Sequence, residues 1–277
     1  MKDPLQTTPE MRSKSPLDKQ AWSQQHYGSG FNDARPLMNV KILGNGGALN
    51  EGLWFNAFII NGQSLVETPP DICLSLYENA IQIENIQEIF ISHFHGDHYF
   101  GFPYLALKQF ALKKPLSVRL LGPRGLKNRI TGIIDLAFGD HHPILDWMEE
   151  HYLFEEIDEN TRCNFAQGQI STVPMNHIVE NYGFRLPGKM DFLYFSDSIW
   201  DPRLLEYIKN DSTILMDING SEGNNSIHAS ERDVVEHLLP ALGENSLVYG
   251  THVQQYRESS VPKLIYAQAG ETIVIQH

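Results

Sequence analysis

A six-residue segment carries three histidines and one aspartate at spacings that could hold metal ions. The segment reads HFHGDH and follows the run IQEIFIS, which is typical of a buried strand. Alternate residues of an extended chain point to the same side, so His93 and His95 can bind one ion together. Gly96 allows a turn that directs Asp97 and His98 towards a second centre. Imidazole and carboxylate donors suit zinc, manganese or iron, so the segment predicts a metal centre.

The HFHGDH segment resembles the HxHxDH signature of the metallo-β-lactamase superfamily. Members of that family carry a further histidine, an aspartate and a last histidine at the ends of later strands. The runs TVPMNH, LYFSDS and LVYGTH supply His177, Asp197 and His252 in that order, and the matched region extends from about residue 38 to 270. The resemblance implies an α+β fold, a four-layer αββα sandwich, and a hydrolase of the tRNA 3′-processing or cyclic-phosphodiesterase-like branch.

The resemblance also implies how two divalent ions would be held, with zinc as the expected metal and manganese or iron as alternatives. One ion would be bound by His93, His95 and His177, the other by Asp97, His98 and His252, with Asp197 as the bridge. Two ions about 3.5 to 4 Å apart can share a water and lower its pKa towards neutrality. The implied nucleophile is a metal-bridging hydroxide, and Asp97 is expected to serve catalysis as well as metal binding.

Three of these ligands have ordinary structural explanations when each is considered alone. His177 could be a hydrogen-bonded core histidine, Asp197 could cap the helix predicted from Pro202, and His252 could belong to a plain loop. Their order after the HFHGDH segment is what favours the ligand interpretation.

His228 is a candidate general acid. It lies in NNSIHASERDVVEHL, just before a helix predicted to start at Ser230. In the phosphodiesterase branches of the family, a histidine in a similar place protonates the leaving oxygen, because a leaving alkoxide has a high proton affinity. The alternative is a structural histidine in the loop or the first helical turn.

Differences from the tRNA-processing pattern favour a small or cyclic phosphodiester as the substrate. The His-Glu-Ala-Thr stretch of that branch is absent, and Asp217 in LMDINGSE stands near the place of its glutamate. In LVETPPDI, Glu67 replaces the usual aspartate, with Asp71 close enough in sequence to compensate. The run ETPPD resembles the branch that contains phosphonate-pathway cyclic phosphodiesterases.

Two other functions are compatible with the same residues. The first is a thioester, lactone or carboxyl-ester hydrolase, in which His228 would matter little because a thiolate or carboxylate leaves with less help. The second is a non-catalytic metal-containing protein for binding or cofactor assembly. No GxSxG, GxxxxGK[ST] or HExxH motif is present, and the glycine-rich LGNGGALNEG is predicted to be a turn between strands.

The charge of the chain bears on its partners. With 21 basic and 34 acidic residues the net charge is −13, which disfavours extended nucleic acid, because proteins that bind it neutralise many phosphates. Two bound divalent ions would still attract a small anionic substrate locally. Seven bases and no acids lie between Tyr99 and Ile134, and seven acids and no bases lie between Asp146 and Glu159. These blocks predict two solvated faces, or alternatively a homodimer contact or a phosphate patch.

The rest of the sequence must supply the elements that position these residues. Residues 1–36 are polar and contain four prolines, which predicts an N-terminal arm, and residues 37–277 are predicted to form one metallo-β-lactamase-like domain. From Met38 onwards, short apolar or alternating runs separated by turn signals predict strands in two β-rich halves. Helices are predicted from Phe102 and over residues 126–138, 202–209 and 230–239.

Composition sets the expected location and redox chemistry. No apolar run approaches the roughly 20 residues of a membrane span, and the N-terminus lacks the apolar stretch of a signal peptide. The expected location is therefore the cytoplasm, without a membrane. Cys73 and Cys163 are the only cysteines, so neither a disulfide framework nor a thiolate metal cluster is expected.

Overall fold

A computed structural model of the chain describes residues 37–220 and 227–276. The predicted N-terminal arm, residues 1–36, lies outside the described residues. Within them, fourteen strands form two mixed sheets of seven strands each. No helix in these two ranges is both long enough and apolar enough to cross a membrane.

The first sheet combines strands from the N-terminal half with the last strand. Its members are β1 (Met38–Gly44), β2 (Ala57–Ile60), β3 (Ser64–Val66), β4 (Glu88–Phe90), β5 (Val118–Gly122), β6 (Tyr152–Glu156) and β14 (Thr272–Ile275). The order is β14-β1-β2-β3-β4-β5-β6. Pairing is antiparallel from β14 to β3 and parallel from β3 to β6.

The second sheet repeats this plan with the C-terminal strands. Its members are β7 (Arg162–Phe165), β8 (Gly168–Pro174), β9 (Tyr182–Leu186), β10 (Asp191–Phe195), β11 (Ser212–Asp217), β12 (Leu247–Thr251) and β13 (Leu264–Tyr266). The order is β13-β12-β11-β10-β9-β8-β7. Pairing is antiparallel from β7 to β10 and parallel from β10 to β13, so both sheets change from antiparallel to parallel pairing.

Helices cover the outer faces of the two sheets. Those on the first sheet are α1 (Ile72–Glu78), α2 (Gly96–Tyr99), α3 (Phe102–Ala111), α4 (Leu126–Phe138) and α5 (Ile144–His151). On the second sheet, α6 (Glu231–Asp233) continues as a π-helix, Val234–Leu238. Short 3₁₀ turns are formed by Ile83–Asn85, Pro202–Tyr207 and Leu239–Ala241.

Apolar side chains form one cluster between the sheets and one beneath each helical layer. The central cluster is aromatic: the Phe58 ring lies 5.0 Å from that of Tyr194, and the Phe90 ring 5.1 Å from that of Phe184, both edge to face. Aromatic residues of both sheets thus interlock across the interface. The four-layer αββα sandwich predicted from the sequence is confirmed.

The structure corrects one helix and adds elements that the sequence patterns did not indicate. The segment predicted as a helix over 202–209 is a 3₁₀ turn, in which the Asp201 side chain accepts from the Arg203 amide and Ile208 is already extended. The additional elements α1, α2, α5, β6, β7 and β13 are short. The acidic block forms α5 and β6, and β6 is an edge strand, where charged side chains are ordinary because they discourage further strand pairing.

The basic and acidic blocks contact each other within the chain instead of forming separate solvated faces. Arg119 Nε lies 2.9 Å from Glu155 Oε2, and Lys127 Nζ lies 2.6 Å from Glu149 Oε1. Arg119 also contacts Glu88 at 3.2 Å and donates to the Asn164 carbonyl on β7. Arg119 therefore ties three strands of the first sheet to the edge of the second.

Removing this buried guanidinium should destabilise the sandwich. We expect Arg119→Met to lower the free energy of unfolding by about 3 kcal/mol, because Glu88, 5% exposed, would lose its buried counter-charge. The control is Lys127→Met, which removes an exposed ion pair and should change stability by less than about 1 kcal/mol. Urea unfolding of both variants measures the difference, and equal shifts would contradict a special role for Arg119.

Candidate metal centre

The structure brings all seven sequence-predicted ligands together where strands of both sheets end. His93 and His95 follow β4, and Asp97 and His98 lie in α2; His177 follows β8, Asp197 follows β10, and His252 follows β12. The strands end at the same edge of the sandwich, so residues separated by up to 159 positions become neighbours. These side chains form two groups of donor atoms.

The first group consists of His93, His95, His177 and Asp197, whose donor atoms lie within 4.8 Å of one another. His95 Nδ1 lies 3.0 Å from His93 Nε2 and 3.2 Å from His177 Nε2. Burial lowers the pKa of His93 well below its ordinary value and lowers the pKa values of His95 and His177 as well. The three imidazoles are thus favoured in the neutral form, the form that binds a metal.

The second group consists of Asp97, His98 and His252. His252 Nε2 lies 3.4 Å from His98 Nε2 and 3.1 Å from Asp97 Oδ2. Burial alone would lower the pKa of both histidines, but Asp197 raises that of His252 to about 10 and, with Glu67, that of His98 well above its ordinary value. A cation binding here must therefore displace protons.

Asp197 faces both groups. Its Oδ2 lies 3.3 Å from His252 Nε2 and 3.9 Å from His93 Nε2, and its Oδ1 lies 3.4 Å from His98 Nε2. Burial would raise the pKa of Asp197, but His252 and His98 hold it well below its ordinary value, so the side chain is a carboxylate. One ionised group with an oxygen near each cluster has the placement of a bridging ligand.

The chemistry of the donor set fits divalent cations. Ring nitrogens converge at 3.0–3.4 Å, and the buried Oδ1 of Asp197 makes no hydrogen bond of good geometry among the described residues. Buried lone pairs left without a partner are costly, and a cation shared among them removes that cost. Nitrogen and carboxylate oxygen are the donors that zinc, manganese and iron accept.

Asp217 is a site residue that the sequence patterns undervalued. Its Oδ2 lies 2.6 Å from His228 Nδ1, and its Oδ1 lies 3.5 Å from His252 Nδ1. Asp217, His228, His252 and Asp197 together form a third group of potential metal donors. A usable signal exists in the sequence, because Asp217 is the only charged residue in the apolar run STILMDI and lies one position before its end.

His228 stands beside the metal donors with a half-buried ring. Its ring centroid lies 5.1 Å from that of His252 and 6.0 Å from that of His177. Asp217 accepts at Nδ1, and Nε2 makes no hydrogen bond to any residue in 37–220 or 227–276. The predicted general acid is therefore oriented by a carboxylate, and its other nitrogen has no hydrogen-bond partner within those two ranges.

Glu67 and Asp71 have separate roles. Glu67 Oε1 lies 3.5 Å from His98 Nδ1, and Oε2 accepts from the Ser92 amide at 3.2 Å. Asp71 Oδ2 accepts from the Phe55 amide at 2.9 Å and its Oδ1 makes no hydrogen bond to a described residue, so Asp71 holds the loop before β2 instead of a predicted ligand. Glu67 itself contacts a predicted ligand despite its longer side chain.

The glycine-rich run LGNGGALNEG connects β1 to β2, as predicted, and also lies against the site. A Cβ at Gly47 would lie 2.7 Å from the His252 carbonyl oxygen and 2.9 Å from Asn219 Nδ2. Glycine at this position is explained by the close approach of the loop to His252.

Comparisons with known proteins agree with this architecture. Residues 38–268 match the family described as Anti-Pycsar protein Apyc1. Ribonuclease Z of Staphylococcus carnosus (strain TM300) is 28% identical over 153 residues, 51% of this chain and 47% of that protein. The chain thus matches about half the length of this curated relative.

Solved structures share the fold at low sequence identity. Human tRNase Z, short form, has a TM-score of 0.69 and 18% identity, covering 86% of this chain and all 100% of that one. The metallo-β-lactamase fold protein YhfI of Bacillus subtilis has a TM-score of 0.66 and 14% identity, with the same coverage of 86% and 100%. The resemblance to the metallo-β-lactamase superfamily is thereby confirmed, and the chain belongs, within that superfamily, to the family of the Anti-Pycsar protein Apyc1.

Proposed function

We propose that this protein is a dinuclear-metal phosphodiesterase that hydrolyses a small or cyclic phosphodiester. The observation that carries the proposal is the pair of donor groups sharing Asp197, with the His228–Asp217 pair beside them. The relative named ribonuclease Z supports hydrolysis of a phosphodiester. Zinc is the metal that we expect first.

Each donor group would hold one ion, and the seven predicted ligands are divided between the two ions. His93, His95 and His177 would hold the first, and Asp97, His98 and His252 the second, with Asp197 between them. When bound, divalent ions of this kind activate water and offset charge on the phosphate. The seven side chains would hold both ions at the strand ends and at α2 of a rigid sandwich, which limits reorganisation during the reaction.

His228 would supply the proton that the leaving oxygen needs. With Nδ1 held by Asp217 at 2.6 Å, the protonated ring would offer Nε2–H to a substrate bound beside His252, whose ring centroid lies 5.1 Å away. Asp217 fixes the ring orientation and offsets the charge of the imidazolium. A carboxylate–histidine pair is an effective general acid for an alkoxide, which leaves slowly without a proton.

The net charge supports a small substrate. At −13, the chain repels a long polyanion over most of its surface, whereas divalent ions would create a local positive centre. A short phosphodiester needs only that centre, whereas a tRNA must also be held along its backbone.

The test is an activity panel on metal-reconstituted protein. We expect hydrolysis of bis(p-nitrophenyl) phosphate and of 2′,3′- or 3′,5′-cyclic nucleotides, loss of activity with a chelator, and recovery on adding zinc. The metal-free protein is the control. Cleavage of only a thioester or lactone would reject the phosphodiesterase, cleavage of only a 3′-extended tRNA would reject the small substrate, and two bound ions without any turnover would reject the enzyme.

A further inference from the structure

A hydrogen-bonded network of buried polar side chains crosses the aromatic interface between the two sheets. It contains Glu67, Tyr194, Asn56 and Thr251, which are each at most 2% exposed. These residues come from four separate segments of the protein: the residue after β3, the middle of β10, the residue before β2 and the end of β12. Polar groups in such a core are costly unless they are hydrogen-bonded, so their alignment calls for an explanation.

In this network each residue donates a hydrogen bond to the next, from Thr251 to Glu67. Thr251 Oγ1 donates to Asn56 Oδ1 at 2.7 Å, and Asn56 Nδ2 donates to the Tyr194 hydroxyl at 3.3 Å. The Tyr194 hydroxyl donates to Glu67 Oε1 at 3.0 Å. Burial and Glu67 raise the pKa of Tyr194 well above its ordinary value, so the phenol keeps the proton that it donates.

Both ends of this network lie next to predicted ligands of the same ion. Glu67 Oε1 lies 3.5 Å from His98 Nδ1, and Thr251 is bonded directly to His252 in sequence. His98 belongs to the first sheet's half of the site and His252 to the second, and their Nε2 atoms lie 3.4 Å apart. The hydrogen-bonded network therefore links the two sheets next to the predicted second metal site, to which both sheets supply ligands.

Packing of the aromatic cluster does not require the Tyr194 hydroxyl. Its ring lies edge to face with Phe58 at 5.0 Å and 5.8 Å from the ring of Phe184, in a cluster where phenylalanine would fill the same space. Glu67, which Tyr194 contacts, has a left-handed backbone with φ of +65°, a conformation that costs energy outside glycine. Both features are explained if the Glu67 carboxylate must be held in one place.

We infer that Tyr194 is a positioning residue for the second metal ion, acting through Glu67 on His98, with Asn56 and Thr251 anchoring it to the strand that carries His252. The inference rests on the ligand set of the proposed function. With Oε1 3.5 Å from His98 Nδ1, the Glu67 carboxylate would hold the ring so that Nε2 faces the ion. Outer contacts of this kind typically change metal affinity by about 10- to 100-fold.

The decisive variant is Tyr194→Phe, which removes one oxygen from the network. In calorimetric titration of metal-free protein with zinc, we expect the ion held by Asp97, His98 and His252 to bind about 10- to 100-fold more weakly, with the other ion unchanged. The matched control is Tyr152→Phe, which removes the hydroxyl of another buried tyrosine, one that donates to Gln109 beneath the helices. It should leave both affinities unchanged.

Thr251→Val provides a second variant of nearly equal shape, for use if Tyr194→Phe does not fold. It breaks the hydrogen bond to Asn56 and should weaken the same ion by a smaller factor. If the wild type binds no metal, the ligand set itself is wrong. If the wild type binds two ions and both folded variants bind them as tightly, only the positioning role of Tyr194 is overturned.

Discussion

Replacing Asp197 with asparagine should leave the protein folded, eliminate tight binding of at least one metal ion and lower phosphodiesterase activity by about 10³-fold. The Oδ2 atom of this carboxylate lies near both donor clusters, at 3.3 Å from His252 Nε2 and 3.9 Å from His93 Nε2. Asparagine keeps the shape but offers a single neutral oxygen. It therefore removes the negative charge that offsets two adjacent cations.

The matched control for this variant is Asp201→Asn, four residues later. Asp201 is also buried, but its carboxylate accepts from the amide and guanidinium of Arg203 at the start of a 3₁₀ turn. Metal content by elemental analysis and turnover of bis(p-nitrophenyl) phosphate should be nearly unchanged in the control. If Asp197→Asn kept two tightly bound ions and normal turnover, Asp197 could not be a bridge.

The local part of the site could be predicted because its geometry depends on neighbouring residues. His93 and His95 are two residues apart in an extended segment, so their shared direction follows from the strand alone. His177, Asp197 and His252 could be assigned only through the order of motifs in a known family. The structure brings all of them together, because each follows a strand that ends at the same edge.

The role of Asp217 could not be read from local sequence, because it depends on which strands are neighbours. Asp217 pairs with Thr251 in the parallel register of β11 and β12, which places its carboxylate beside His252 and His228. The same limit applies to Tyr194, which looks like an ordinary core aromatic in DFLYF until Glu67 is found beside it. Long-range pairing decides both contacts.

The charge blocks show a related limit. A run of bases and a run of acids can lie on separate faces or meet, and composition does not distinguish the two outcomes. The parallel pairing of β5 with β6 sets Arg119 near Glu155 and makes them partners. The short edge strands escaped prediction because their few residues carry little periodicity.

His228→Ala should lower turnover of a cyclic nucleotide by about 10³-fold and turnover of bis(p-nitrophenyl) phosphate by much less. The first substrate expels an alkoxide, which needs a proton from His228, whereas p-nitrophenolate is a weak base that leaves unaided. The two ions should remain bound. The control is His237→Ala, which removes an exposed imidazole that stacks on Trp200 and should change neither rate.

This difference between substrates separates general acid catalysis from metal binding by the same side chain. His228 also belongs to a donor group with Asp197, Asp217 and His252. If it were a metal ligand, His228→Ala would lose an ion and slow both substrates to the same extent. Asp217→Asn extends the argument, because it would disturb the orientation of His228 at 2.6 Å while retaining the imidazole. It should reproduce the preference for the nitrophenyl substrate, with a smaller loss on the cyclic nucleotide.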